Sequence, residues 1–224
     1  MKITEKNYFS TEVKKNFLDV STFKDFVGIP AREGCEERAL ASLNGDFETE
    51  KSNALLLGSL VDEMLLGTED SLLQFKLENQ QMFSSRGETK GQLKAEFRKG
   101  EEMVARAKQD AKFMKYLEGE HQRIMTGTLF GMDWRIKIDN YMENKAIVDL
   151  KTCEDMRKVY YANGSRYNFI DYFGYVLQGA IYQEIVFQNT GKKLPFYFAC
   201  ISKQTIPDIE LIYIDDETLN NAIY

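Results

Sequence analysis

The stretch IKIDNYMENKAIVDLKT, residues 136–152, decides the fold. Two alternating runs, WRIKIDNY and AIVDLKT, flank the tetrapeptide Met142-Glu143-Asn144-Lys145, which is the pattern of a β-hairpin. Side chains alternate between the two faces of a strand, so Asp149 and Lys151 point the same way, and the hairpin carries Asp139 alongside them. Unpaired charge is expensive inside an otherwise apolar sheet. A hard divalent cation held between the two carboxylates turns that cost into affinity. The plainer alternative is an exposed cross-strand ion pair, worth little to stability. Against it stand Ala146, Ile147, Val148 and Leu150, whose apolar run reads as a buried strand.

Outward from the hairpin, residues 123–152 read as a three-stranded meander broken at Gly131 and at 142–145. Residues 169–188 form a largely apolar helix stopped by Asn189, Thr190 and Gly191, in which Gly174 and Gly179 allow close approach to the sheet. Two strands follow at 195–203 and 208–214, and Asp215 or Asp216 caps a terminal helix. The chain stops at Tyr224 only two turns into that helix, so a further C-terminal segment is an expectation. Upstream, residues 7–27 suggest one short helix closed by Gly28-Ile29-Pro30, and 31–44 a second. Residues 51–66 are apolar all round and should lie inside the fold. Glu88 to Glu118 reads as a long charged helix or a pair. Helices, a meander, a helix and two more strands make an α+β arrangement with a mixed central sheet flanked by helices. The expected organisation is one unit over 1–224, with an N-terminal helical region at 1–50, a second helical part at 51–122, and the sheet and its helices at 123–224.

With 43% hydrophobic and 29% charged residues the composition is that of a globular chain, not a disordered or fibrous one. There is no apolar run long enough to span a membrane and no secretory signal pattern, so a cytoplasmic protein without membrane contact is expected. Three scattered cysteines, Cys35, Cys153 and Cys200, disfavour zinc and iron–sulfur sites. The one histidine, His121, makes a His-based zinc site or a Ser-His triad improbable and reads as a surface or strand-edge residue.

In order along the chain come Asp139, Asp149-Leu150-Lys151 and, on the following helix, Gln178 and Tyr182. This set resembles the PD-(D/E)XK nuclease superfamily. The Gln-x-x-x-Tyr pair, and a Gly-x-x-x-acid pattern at Gly58 to Asp62, look most like the RecB and RecE branch, which includes exodeoxyribonuclease VIII and phage recombination exonucleases. The resemblance covers roughly residues 50–214, and the first fifty residues fit it only loosely. It implies a restriction-endonuclease-like core and a Mg²⁺-dependent deoxyribonuclease, a hydrolase of phosphodiester bonds, with Mn²⁺ able to substitute. By the same likeness Asp139, Asp149 and the backbone carbonyl of Leu150 ligate the metal, Lys151 faces the scissile phosphate, and Gln178 and Tyr182 look toward the active site. Two polar residues at the edge of a core helix would look the same. Asp62 stands where the branch usually has histidine. An acid there can also hold a hard cation, or else cap or pair with a nearby base.

For DNA contact, residues 86–115 hold nine basic against five acidic residues. Arg86, Lys90 and Lys94 recur every four, and Lys108, Lys112 and Lys115 nearly so, suggesting helical stripes along a phosphate backbone. A solvated helix face has the same pattern. Arg157, Lys158 and Arg166 are the second set, with Tyr160, Tyr161 and Tyr167 either stacking on a frayed base or packing. Trp134, with Arg135 before the first aspartate, reads as core. The net charge of -6 leaves room only for a local basic track.

The resemblance implies an exonuclease on linear double-stranded DNA ends in phage-type recombination, with a single-strand annealing protein as partner and a ring homo-oligomer as a possible assembly. The alternatives are an endonuclease with the same core, or a catalytically weak DNA-binding or inhibitory protein that keeps the fold.

Overall fold

The computed structural model describes residues 1–47 and 52–223. The chain opens with seven helices: α1 (Thr11–Asn16), α2 (Val20–Val27), α3 (Glu36–Asn44), α4 (Asn53–Leu66), α5 (Glu69–Glu78), then, past a short 3-10 turn at Gln80–Met82, α6 (Ala95–Lys108) and α7 (Ala111–Lys115). The meander follows as β1 (Glu120–Leu129), β2 (Met132–Met142) and β3 (Ala146–Cys153). A small hairpin, β4 (Tyr160–Ala162) and β5 (Ser165–Tyr167), leads into α8 (Phe169–Tyr172) and α9 (Tyr175–Thr190). Strands β6 (Phe196–Ser202) and β7 (Ile209–Ile214) and helix α10 (Asp216–Asn221) close the chain.

The main sheet runs β1-β2-β3-β6-β7, antiparallel throughout except for the parallel pair β3 and β6. It is the expected mixed sheet of an α+β protein. A parallel neighbour needs a crossover, and α8 with α9 supplies it. Alternation splits β3 between two cores. Ile147 joins Phe196, Phe198 and Cys200 under Ile181 and Ile185 of α9. Val148 and Leu150 join Ala199 and Ile201 against Leu56 and Leu60 of α4 and Phe97 of α6. Helices on both faces explain why β3 and β6 are almost continuously apolar.

Several boundaries differ from the sequence reading. The helix expected over 7–27 is two helices, capped separately by Ser10 and Asp19. Between them Leu18 is extended: its N–H donates to the Asp133 carbonyl at 2.8 Å, and its carbonyl accepts from Arg135 N–H at 2.9 Å. The N-terminal region is thus hydrogen-bonded to β2. The second helix starts at Glu36 rather than 31, after a loop that packs Gly34 on Gly28. A Cβ on Gly34 would lie 2.3 Å from the Phe26 carbonyl oxygen. Residue 51, the expected start of the next helix, lies outside the described residues. In α4, Leu56, Leu57, Leu60, Val61 and Leu66 are buried as expected, but Leu55 is 63% exposed. The charged stretch becomes helical only at Ala95. The 169–188 helix breaks at Gly174, whose φ of 61° ends α8 and opens α9, so Gly174 is a joint and not a point of contact with the sheet.

Gly179 does bring α9 onto the sheet: an added Cβ would sit 3.0 Å from both Phe196 and Leu219. Gly179→Val is expected to destabilise the protein by about 1–3 kcal/mol through overpacking, read as a lower denaturation midpoint. Unchanged stability would mean that α9 has room to move.

Candidate active site

Pairing between β2 and β3 covers only Asn140↔Val148, Tyr141↔Ile147 and Met142↔Ala146. Continued by one step, that register would set Asp139 opposite Asp149. Instead the strands part, and the Asp139 carboxylate takes the place of a backbone acceptor: Leu150 N–H donates to its Oδ2 at 2.9 Å. The hairpin therefore gathers the expected residues by splaying its strands, not through a flat shared face.

Asp149 is 1% exposed. Its Oδ1 accepts from Gln178 Nε2 at 2.6 Å, and its Oδ2 lies 2.5 Å from the Lys151 ammonium. Oδ2 is buried, and this ion pair is its polar contact among the described residues. Lys151 also lies over the Tyr175 ring, 4.8 Å from its centroid. Tyr182 donates from its hydroxyl to the Lys137 carbonyl at 3.1 Å and is 8% exposed. On α9, Gln178 thus fixes a carboxylate, and Tyr182, one turn on, fixes the strand that carries Asp139.

Asp62 reaches the same place from α4. Gly58, one turn before it, faces β3 so closely that a Cβ would lie 3.2 Å from Thr152 Oγ1. Two cavities, of about 400 and about 480 Å³, share Leu55, Asp62, Leu150, Lys151 and Tyr175. This explains the exposure of Leu55: it stands at the junction of the two spaces. Asp139, Asp149, Gln178 and Tyr182 line the smaller one.

The acids crowd one another. Burial, then the Asp149 charge, pushes the Asp139 carboxyl up to about 7. Burial and the Asp139 charge raise Asp62 well above the carboxylate range. Burial pulls the Lys151 ammonium down, but its carboxylate neighbours, Asp149 foremost, hold it charged. Among the described residues no three His, Cys, Asp or Glu side chains form a ready-made cage.

Residues that the sequence reading left unassigned complete the wall. Lys24 of α2 is buried and donates to the Phe173 carbonyl at 3.0 Å. Burial, then the neighbouring Lys151 charge, lowers it to about 7. Arg135, fully buried, pairs with Asp19 and donates to the Phe17 carbonyl at 2.8 Å. Lys137 lies 5.3 Å from the Phe9 ring centroid. All three line the smaller cavity, and Lys203 lines the larger. Alternation could have found Lys137, two residues before Asp139 on one strand. Nothing local marks Lys24.

The Lys24 shift has a testable sign. The amine titrates near 7 in the folded protein against 10.5 for a lysine side chain in water, so its contribution to stability is full above 10.5 and is lost as pH falls through about 7. Lys24→Met removes that dependence. Thermal melts of variant and parent should therefore favour the variant more at about pH 6 than at about pH 9. A pH-independent difference would place Lys24 in solvent.

The expected phosphate-binding residues lie elsewhere. Arg86 and Lys90 sit in the loop closed by the Phe83–Leu93 bridge, where Gly87 and Gly91 have φ of 69° and 81°, so they form no helical stripe with Lys94, which precedes α6. Arg157 is exposed, Lys158 pairs with Glu154, and Arg166 lies on β5. None of the six lines either cavity. Tyr160 lines the larger cavity but is stacked on Tyr172 with centroids 4.4 Å apart. Tyr161 points outward, 74% exposed. Trp134 is core, its indole N–H donating to the Leu129 carbonyl. His121, on edge strand β1, has its ring nitrogens 2.7 and 2.9 Å from the carbonyls of Leu66 and Leu117, tying α4 to the sheet.

Residues 19–224 match the family described as a PDDEXK-like domain of unknown function. The chain belongs to this PDDEXK-like family. A crystal structure from Eubacterium rectale, described as a "putative exonuclease", superposes with a TM-score of 0.93 at 46% identity, covering 99% of this chain and 81% of that one. No curated protein matches significantly. The family match takes in the N-terminal region from Asp19 onward. Fold, family and structural likeness together support a nuclease. Among the described residues no helix is long and apolar enough to cross a membrane.

Proposed function

We propose that the protein is a Mg²⁺-dependent deoxyribonuclease acting from the ends of linear double-stranded DNA. The observation that carries this reading is the convergence of Asp62, Asp139 and Asp149 on one lysine at the junction of two cavities. The residues fit a hard cation. Asp149 Oδ2 is buried with the Lys151 ammonium as its polar partner among the described residues, and burial together with mutual repulsion raises Asp62 and Asp139. A positive charge between them relieves both costs. Asp139, Asp149 and the Leu150 carbonyl would hold it, with Asp62 beside them and Mn²⁺ able to replace Mg²⁺. When bound, the metal supplies an activated water and offsets phosphate charge.

The protein groups do the rest. Lys151, held charged, faces the junction where the scissile phosphate lies and stabilises negative charge as it develops. Gln178 keeps Asp149 in place, and Tyr182 keeps β2 from sliding. Lys137 and Lys203 take the flanking phosphates, where Coulombic contact positions the strand without reading its sequence.

The choice of exonuclease follows the description of the E. rectale relative and the RecE-like Gln178 and Tyr182 spacing. That branch also suggests end resection in phage-type recombination, hand-over of the single strand to an annealing protein, and a ring assembly. The test is incubation of labelled linear duplex and closed circular DNA with Mg²⁺, beside Asp149→Ala. Loss of the linear substrate alone supports the reading. Cutting of circles makes the protein an endonuclease, and no metal-dependent loss sinks the enzyme.

A further inference from the structure

A third cavity, of about 360 Å³, lies away from the carboxylates. Its lining takes Lys112 and Lys115 from α7, Tyr116 just after it, Lys145 from the β2–β3 turn, and Tyr197 from the start of β6. Tyr197 stands opposite Val148 in the sheet, whereas Lys151 stands opposite Cys200. The cavity is therefore at the other end of β3. It is also on the other face, because Tyr197 packs with the α4 and α6 core.

In a chain of net charge -6 this pocket holds three lysines and no carboxylate. None of the three lysines has an ion-pair partner among the described residues. The acids nearest in sequence, Asp110, Glu118 and Glu143, do not line the cavity, and Asp110 instead caps α7 by accepting from Phe113 N–H. Between the lysines the rings of Tyr116 and Tyr197 meet edge to face at 5.0 Å, and Tyr213, 51% exposed, extends the row 5.3 Å beyond Tyr197. Ammonium groups around an aromatic row suit a ligand with repeated phosphates and flat faces, and single-stranded nucleic acid has both. A duplex, whose bases are stacked inward, offers the phosphates alone.

We infer that this pocket binds single-stranded DNA, separately from the catalytic junction. Its purpose rests on the nuclease reading: degrading one strand of a duplex leaves the other single-stranded, and a grip on it keeps the enzyme at the end. Binding itself needs no hydrolysis and is measured without it.

The experiment is fluorescence anisotropy of a labelled oligo-dT, with EDTA present, against the full chain and its K112A/K115A/K145A variant. Loss of three phosphate contacts should weaken binding at least tenfold and flatten the log–log salt dependence by about 2, at about 0.7 per contact for single strands. Tyr197→Leu should weaken oligo-dT about fivefold or more while leaving an abasic oligonucleotide unaffected. Folding of each variant is checked by its melt, and the triple variant should still process a short duplex within about twofold of the parent. Unchanged affinity and salt slope in the triple variant overturn the inference. So does equal binding of abasic and oligo-dT strands by the parent. If the parent hydrolyses no DNA but binds oligo-dT through these lysines, the nuclease reading fails and the site stands.

Discussion

Asp149→Ala should lower Mg²⁺-dependent DNA hydrolysis by about 1000-fold or more, since it removes both a proposed metal ligand and the group that positions Lys151. Asp149 is the centre of the site: Gln178 holds one oxygen and Lys151 lies against the other. Because Asp149→Ala leaves the largely buried Lys151 ammonium without its closest partner, it should also cost about 3–5 kcal/mol of stability, so the isosteric Asp149→Asn is measured beside it and both are compared only below their melting temperatures. The decisive companion measurement is stabilisation by Mg²⁺. In the parent, binding of the cation to the native state should raise the melting temperature with metal concentration. In Asp149→Ala that dependence should vanish. Lost activity with a full Mg²⁺ stabilisation would mean that the cation sits elsewhere.

Lys151→Met should behave oppositely in binding and alike in turnover. The ammonium is 2.5 Å from Asp149 Oδ2, so it competes with any cation for the same charge. Removing it frees Asp149 and removes a neighbouring positive charge. Mg²⁺ stabilisation should therefore persist or grow, while hydrolysis falls by about 100- to 1000-fold for want of a charge facing the phosphate. Equal loss of metal binding in both variants would make Lys151 a structural partner of Asp149 only.

This pair of outcomes separates Asp149 and Lys151 into roles, which the sequence alone could suggest but not divide. The DLK triplet and its hairpin were readable because alternation and turn chemistry are local signals. So was α9, whose Gln178 and Tyr182 must share a face at a four-residue spacing. That the pair looks toward the site was implied by the resemblance, but the groups they bond were not readable. Tyr182 donates to the Lys137 backbone, a contact set by how far β2 swings from β3. Sequence patterns also missed the contribution of the first fifty residues. Leu18 hydrogen-bonds to β2, and this anchors α2 so that Lys24 enters the cavity. Such long-range pairing leaves no periodic trace. The basic stripe at 86–94 failed for the reverse reason: a four-residue recurrence means a helical face only in a helix, and Gly87 and Gly91 turn the chain there.

Asp139 and Asp149, parted from the regular ladder, should jointly hold one hard cation. Anomalous diffraction from crystals soaked in Mn²⁺ measures this directly. A peak is expected within about 2.0–2.3 Å of one carboxylate oxygen from each of the two residues and of the Leu150 carbonyl oxygen. A manganese ion bound away from that pair, or none at saturating metal, would contradict it.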